Sequence, residues 1–165
     1  MAKKRGFMGA NAAAANDSER IFQWIRTILH EVDEHESATA ESLLFACGKM
    51  CASSSQLMAG AVTVRKELPD DVDPDTLFRV FRKRYYSTPG LDKDGNTITL
   101  IFDTCTCPLV KAGIDNPSLC RCTTGYSKAL FEALFNRPVS VTLHTSILRG
   151  DRVCRQEIII HGDAE

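Results

Sequence analysis

The hydrophobic pattern of this chain changes period near Leu91, and that change limits the fold more than any other feature. Upstream, apolar residues recur at the three-and-four spacing of amphipathic helices; downstream, segments that alternate as in strands with one buried face appear around one further helix. A run of helices followed by a run of strands builds an α+β domain. The expected architecture is a helical N-terminal half packed on a small antiparallel sheet, with a cysteine-rich loop between them.

Asn16, Asp17 and Ser18 offer an N-cap, and Ile21, Trp24, Ile25, Ile28, Leu29 and Val32 then predict a first helix over about 18–34. Thr39 is a cap for a second, whose single stripe contains Leu43, Leu44, Cys47, Met50, Cys51, Leu57, Met58 and Ala61. This reading buries Cys47 and Cys51 one turn apart. Asp73 followed by Pro74 starts a third helix with Leu77, Phe78, Phe81 and Tyr85 inward, stopped by Pro89 and Gly90. Its four basic residues, Arg79, Arg82, Lys83 and Arg84, read as a solvated face in preference to an anion site.

Asp94-Gly95-Asn96 signals a turn, and Ile98, Leu100 and Phe102 alternate in a strand over 97–103 that leads to Cys105. Thr123 or Thr124 would cap a helix to about Asn136 with Tyr126, Leu130, Ala133 and Leu134 inward, ended by Arg137-Pro138. Val139, Val141 and Leu143 alternate with Ser140, Thr142 and His144, and a last strand over 153–161 follows the turn at Arg149-Gly150-Asp151-Arg152. The two form a hairpin. Alternation puts Cys154 on one face with Ile158 and Ile160.

A chain of 165 residues makes one core, so residues 17–162 are expected to be a single domain. Residues 1–16, with Lys3, Lys4 and Arg5 followed by Gly, Asn and Ala, lack the apolar segment of a secretory signal and read as a disordered arm on a cytoplasmic protein. No apolar run approaches the ~20 residues that span a bilayer. A net charge of −1 gives no electrostatic reason for a nucleic-acid or membrane partner.

Seven cysteines cannot all pair within one chain, and clustered cysteines in a reducing compartment are more often metal ligands or catalytic thiols. Cys105, Cys107, Cys120 and Cys122 form two Cys-x-Cys pairs closed by a loop with Gly113 and Asn116-Pro117, and Cys154 lies beyond them. These five are the candidate metal ligands, with zinc ahead of an iron–sulfur cluster, because soft thiolates converging at about 2.3 Å make such centres. The alternative is a set of small buried residues that are thiols. Cys47 and Cys51 read first as core positions and second as additional thiols. A nucleophilic reading takes Cys122, at a helix start that lowers a thiol pKa, with His144 as base. Asp103 is a strand-end turn residue or a supporting acceptor.

The segment Cys122-Thr-Thr-Gly-Tyr, Asn136-Arg-Pro-Val139 and Gly150 with Cys154 resembles the 4-vinyl reductase domain, of the superfamily that also holds nitric-oxide sensor and Golgi-transport ligand-binding domains. Ala46-Cys47-Gly48-Lys49-Met50-Cys51-Ala52 and Cys107-Pro108-Leu109 look more like its bacterial relatives, the L-2-amino-thiazoline-4-carboxylic acid hydrolase-like group. The resemblance implies a zinc held partly by Cys122 and Cys154 and pairing of two copies through their helices. Leu143 or His144 and Ser146 stand where the phenol-sensing members have an acidic residue and a third cysteine. Cys105, Cys107 and Cys120 would have to supply the replacements.

Three functions follow as expectations. The first is a metal-thiolate, small-molecule-binding domain. The second is a hydrolase of a small cyclic or amide-like substrate, using the metal's water or a cysteine with His144 moving protons. The third is a heavy-metal or iron–sulfur protein using all seven cysteines.

Overall fold

The computed structural model describes residues 9–35, 38–86 and 89–162, with side chains from Asp17 onward. Helix α1 spans Gly9–Glu34, so it begins upstream of Ser18 and Asn16-Asp17-Ser18 is not its cap. Residues 9–16 are therefore helical where an arm was expected, and 1–8 lie outside the described residues. Leu29 and Val32 are buried, with Phe22 and Ile25 packed beside them, against Ala40, Leu44, Ile114 and Leu119. Ile21, Trp24 and Ile28 remain exposed, Trp24 at 67%.

The second expected helix is two: α2, Ala38–Ser53, and α3, Gln56–Glu67. The break falls at a run of serines, where the hydroxyls of Ser53 and Ser54 donate to the carbonyls of Met50 and Cys51 and Ser55 accepts the Met58 N–H at 3.1 Å as the cap of α3. Short hydroxyl side chains compete with the helix ladder in this way and so favour caps. The split redraws the buried stripe. On α2 the inward residues are Ala40, Leu44, Gly48 and Ala52, while Leu43, Cys47, Met50 and Cys51 are exposed. Cys47 and Cys51 are thus not core residues.

Helix α4, Pro74–Tyr85, starts as expected: the Asp73 carboxylate accepts the Thr76 N–H at 2.8 Å, proline holds the first turn, and Leu77, Phe78 and Phe81 are buried. Tyr85, expected inward, is 38% exposed, and the helix ends there, ahead of Pro89 and Gly90. That bond to the Thr76 N–H holds the Asp73 carboxyl below its ordinary pKa.

Strand β1, Leu91–Asp94, pairs antiparallel with β2, Thr97–Phe102, across Gly95 at φ +55. A two-residue turn with positive φ suits glycine and the twist of a hairpin. β3, Val139–Thr145, and β4, Cys154–Ile160, complete a four-stranded antiparallel sheet in the order β1-β2-β4-β3. Its register sets Ile98 opposite Ile158, Leu100 opposite Gln156 and Phe102 opposite Cys154. The short helix α5, Pro108–Lys111, and the long α6, Leu119–Phe135, lie between β2 and β3. The helix α6 starts ahead of Thr123 and Thr124, whose hydroxyls donate back to the carbonyls of Cys120 and Arg121 and cap nothing.

Leu130, Phe131, Leu134 and Phe135 of α6 pack on the sheet through Ile98, Leu100, Val139, Ile158 and Ile160, and on α3 and α4 through Val64 and Phe81. On β4 one polar residue joins the buried face: Gln156, 1% exposed, accepts the Ser127 hydroxyl at 2.5 Å and donates to the Thr123 hydroxyl at 2.8 Å. Near the other end of α6, the Asp33 carboxylate of α1 accepts the Asn116 amide at 2.8 Å and the Ser118 hydroxyl. This ties α1 to the chain just before Cys120.

Candidate thiol centres

Two glycines decide where the thiols go. A Cβ on Gly48 of α2 would stand 1.9 Å from the Cys122 carbonyl oxygen, and one on Gly125 of α6 would stand 2.2 Å from the Phe45 carbonyl oxygen. The two helices therefore cross backbone to backbone, closer than any larger residue permits. This crossing carries Cys47 and Cys51, on either side of Gly48, to the Cys122 turn of α6.

Cys107 arrives from the other direction, at the residue preceding Pro108 and α5. The Cys122 thiol is pushed up to about 12, first by burial and then by the neighbouring Cys47, Cys51 and Cys107, whose thiolates oppose a further negative charge. The helix start was expected to lower this pKa. Cys122 is the fourth residue of α6, and desolvation with three thiol neighbours outweighs the dipole.

A second group forms on the far side of the same turn. Cys120 is 5% exposed, with its Sγ 2.7 Å from the Ser146 hydroxyl. Burial raises its pKa most; Cys154 and Cys105 raise it further, while the Ser146 hydrogen bond and Arg149 act the other way. Cys154 Sγ accepts the Ile147 N–H at 3.3 Å. The seven free cysteines thus sort into Cys47, Cys51, Cys107 and Cys122 in one group and Cys105, Cys120 and Cys154 in the other. Each Cys-x-Cys pair sends one thiol to each group.

The thiol set beside Cys154 is Cys120, whereas the resemblance to the 4-vinyl reductase domain put Cys122 there. Cys154 does share the inward sheet face with Ile158 and Ile160, as alternation predicts. His144 is not brought to Cys122: it is exposed, with Nε2 3.8 Å from the Glu157 carboxylate. Glu157 is the neighbour of inward-facing Gln156, so the pair lies on the sheet face opposite α6. Asp103 is exposed beyond the end of β2. Among the described residues, no three His, Cys, Asp or Glu side chains form a ready-made ion site.

The basic face of α4 is engaged by its neighbours. Arg84 pairs with Glu67, Arg82 lies 3.8 Å from Asp92, and Arg79 donates to the Thr76 hydroxyl at 2.9 Å. A surface groove runs between this face and β1, and another, largely apolar, lies between α1 and α2 at Trp24, Ile28, Val32 and Leu43. Neither is lined by a cysteine. Among the described residues, no helix is long and apolar enough to cross a membrane.

Spacing alone gave the five clustered cysteines but not Gly48, Gly125 or Ser146, which set the grouping. For Gly48 and Gly125 the only signal in the residues themselves is a glycine in each of two helical stretches. Fold and thiols together define an α+β protein with two cysteine centres at the start of one core helix. Residues 5–164 match a family of unknown function, DUF6144, and the chain belongs to it. No curated protein matches the chain.

Proposed function

We propose that this protein is a metal-thiolate protein that takes a thiophilic ion, zinc ahead of an iron–sulfur cluster, at Cys47, Cys51, Cys107 and Cys122. The observation that carries this reading is that Cys47, Cys51 and Cys107, from two further segments, all lie near enough to act on the charge of Cys122 at one turn of α6. Burial and the neighbouring thiols keep Cys122 protonated, and a dication that replaces its proton offsets both, so ion binding is coupled to proton release. The sulfurs must draw together for this. Cys47 and Cys51, exposed on α2, have room to turn.

The same observation weighs against Cys122 as a nucleophile. A thiol at about 12 carries almost no thiolate near neutrality, and His144 is on the opposite side of the sheet. Four protein thiolates on one zinc form a closed centre that supports structure, whereas a catalytic zinc keeps one position open. The grooves are lined by other residues, so ion binding is the part of the metal-and-ligand expectation that the thiols themselves support.

The test is elemental analysis with an absorption spectrum on protein purified anaerobically without a metal-chelating tag. About one zinc per chain is expected, lost in Cys122→Ser and in Cys47→Ser but kept in Cys154→Ser. A coloured, iron-containing sample with the same dependence moves the reading to a cluster. Metal-free native protein, or zinc that survives both substitutions, overturns it.

A further inference from the structure

We propose that Cys120 and Cys154 form a thiol–disulfide exchange site whose substrate is a low-molecular-weight disulfide. The two sulfurs come from the second residue of α6 and the first of β4, yet they contact consecutive residues of one turn: Cys120 meets the Ser146 hydroxyl and Cys154 the Ile147 N–H. That turn is fixed. The Ser146 N–H donates to the Asp151 carboxylate at 2.8 Å, the Arg149 and Asp151 N–H groups donate back to the Ser146 carbonyl, and the Thr145 hydroxyl donates to the Val153 carbonyl at 2.8 Å. The bracket holds both sulfurs from one side.

Their burial differs as exchange requires. Cys154 is half-buried and its sulfur accepts the Ile147 N–H, whereas Cys120 is buried. The Cys154 sulfur, its proton released to water, attacks one sulfur of the small disulfide, whose S–S bond breaks and whose other half leaves as a thiolate that takes up a proton. A mixed disulfide remains. The Cys120 sulfur then attacks the Cys154 sulfur, giving its proton to the second departing thiolate. Two protein thiols and one small disulfide become one protein disulfide and two small thiols, so the small disulfide is reduced and the protein oxidised. This reaction uses neither Cys122 nor its three neighbours and stands or falls independently of ion binding there.

The experiment incubates the reduced full-length protein with glutathione disulfide, quenches it by alkylation and maps tryptic peptides by mass spectrometry. Cleavage after Arg121 parts Cys120 from Cys122, and cleavage after Arg152 and Arg155 isolates Cys154. The expected dominant species joins peptide 112–121 to peptide 153–155, disappears with dithiothreitol and persists in Cys105→Ser. In Cys120→Ser the glutathione adduct should accumulate on Cys154. A dominant link between any other cysteines, or glutathione adducts that persist on the native protein without resolving, overturns the proposal. The native map suffices if a variant fails to fold.

Discussion

The two ends of α6 are built for different purposes. Toward its C-terminus the helix offers Leu130, Phe131, Leu134 and Phe135 to the sheet, with the Phe131 and Phe135 rings stacked at 6.2 Å, before Asn136 turns left-handed and ends it. Toward its N-terminus it offers Cys120, Cys122, Thr123, Gly125 and Ser127, which are small or polar. Apolar burial scales with area, so the first end supplies most of the cohesion. The second end supplies approach: only small residues let α2 and the Ser146 turn come close enough to bring Cys47, Cys51 and Cys154 toward Cys120 and Cys122. One helix thus anchors chemistry at one end by packing at the other.

If that division is right, the largest effect comes from the packing end. Phe131, 1% exposed, should cost about 3–5 kcal/mol on replacement by alanine, read from urea midpoints. The cysteine groups should persist in whatever fraction stays folded. A loss below about 1.5 kcal/mol, of the size that a tolerated core swap produces, would show that the sheet is not the main support.

Gly48→Ala sharpens the contrast from the other end. The added methyl meets the Cys122 carbonyl, so α2 must shift, at a cost of about 1–3 kcal/mol. It should also slow or weaken metal uptake while the near-ultraviolet circular dichroism of the buried aromatic core changes little. A cost equal to that of Phe131→Ala would erase the distinction between the two ends.

The smallest effect is a pH dependence at Cys122 in metal-free protein. Folding raises this thiol's pKa, so the fold favours its neutral form. That contribution is complete below the ordinary thiol value of 9.0 and is lost as pH climbs toward about 12. Urea midpoints of the native chain should fall over this range more steeply than those of Cys122→Ser. Parallel curves would mean that the thiol is as solvated in the fold as outside it.

Much of the framework was legible because local chemistry and burial agreed. The Asp73-Pro74 start, the Gly95 turn and the alternation of β4 need nothing beyond their own neighbours. β1 was missed because Leu91-Asp-Lys-Asp94 has one inward apolar residue and relies on β2 for its shape. The α2–α3 break was missed because the apolar residues continue through it; the three serines, not the stripe, hold the signal. The grouping of the thiols could not be read from spacing, since it depends on where α2 lies, and that depends on Gly48 and Gly125, which mark a contact by having no side chain.

Gln156 carries a consequence for how the sheet is assembled. Its carboxamide is the one polar group on the buried face of β4, and it is satisfied only when Ser127 and Thr123 of α6 are opposite it. A slip of one residue would turn it out to water and force the Glu157 carboxylate into the core. The amide therefore proofreads the strand's alignment as the sheet closes. Cys154 is two residues away on the same strand, so its sulfur reaches the Ser146–Ile147 turn only in chains that have passed that check.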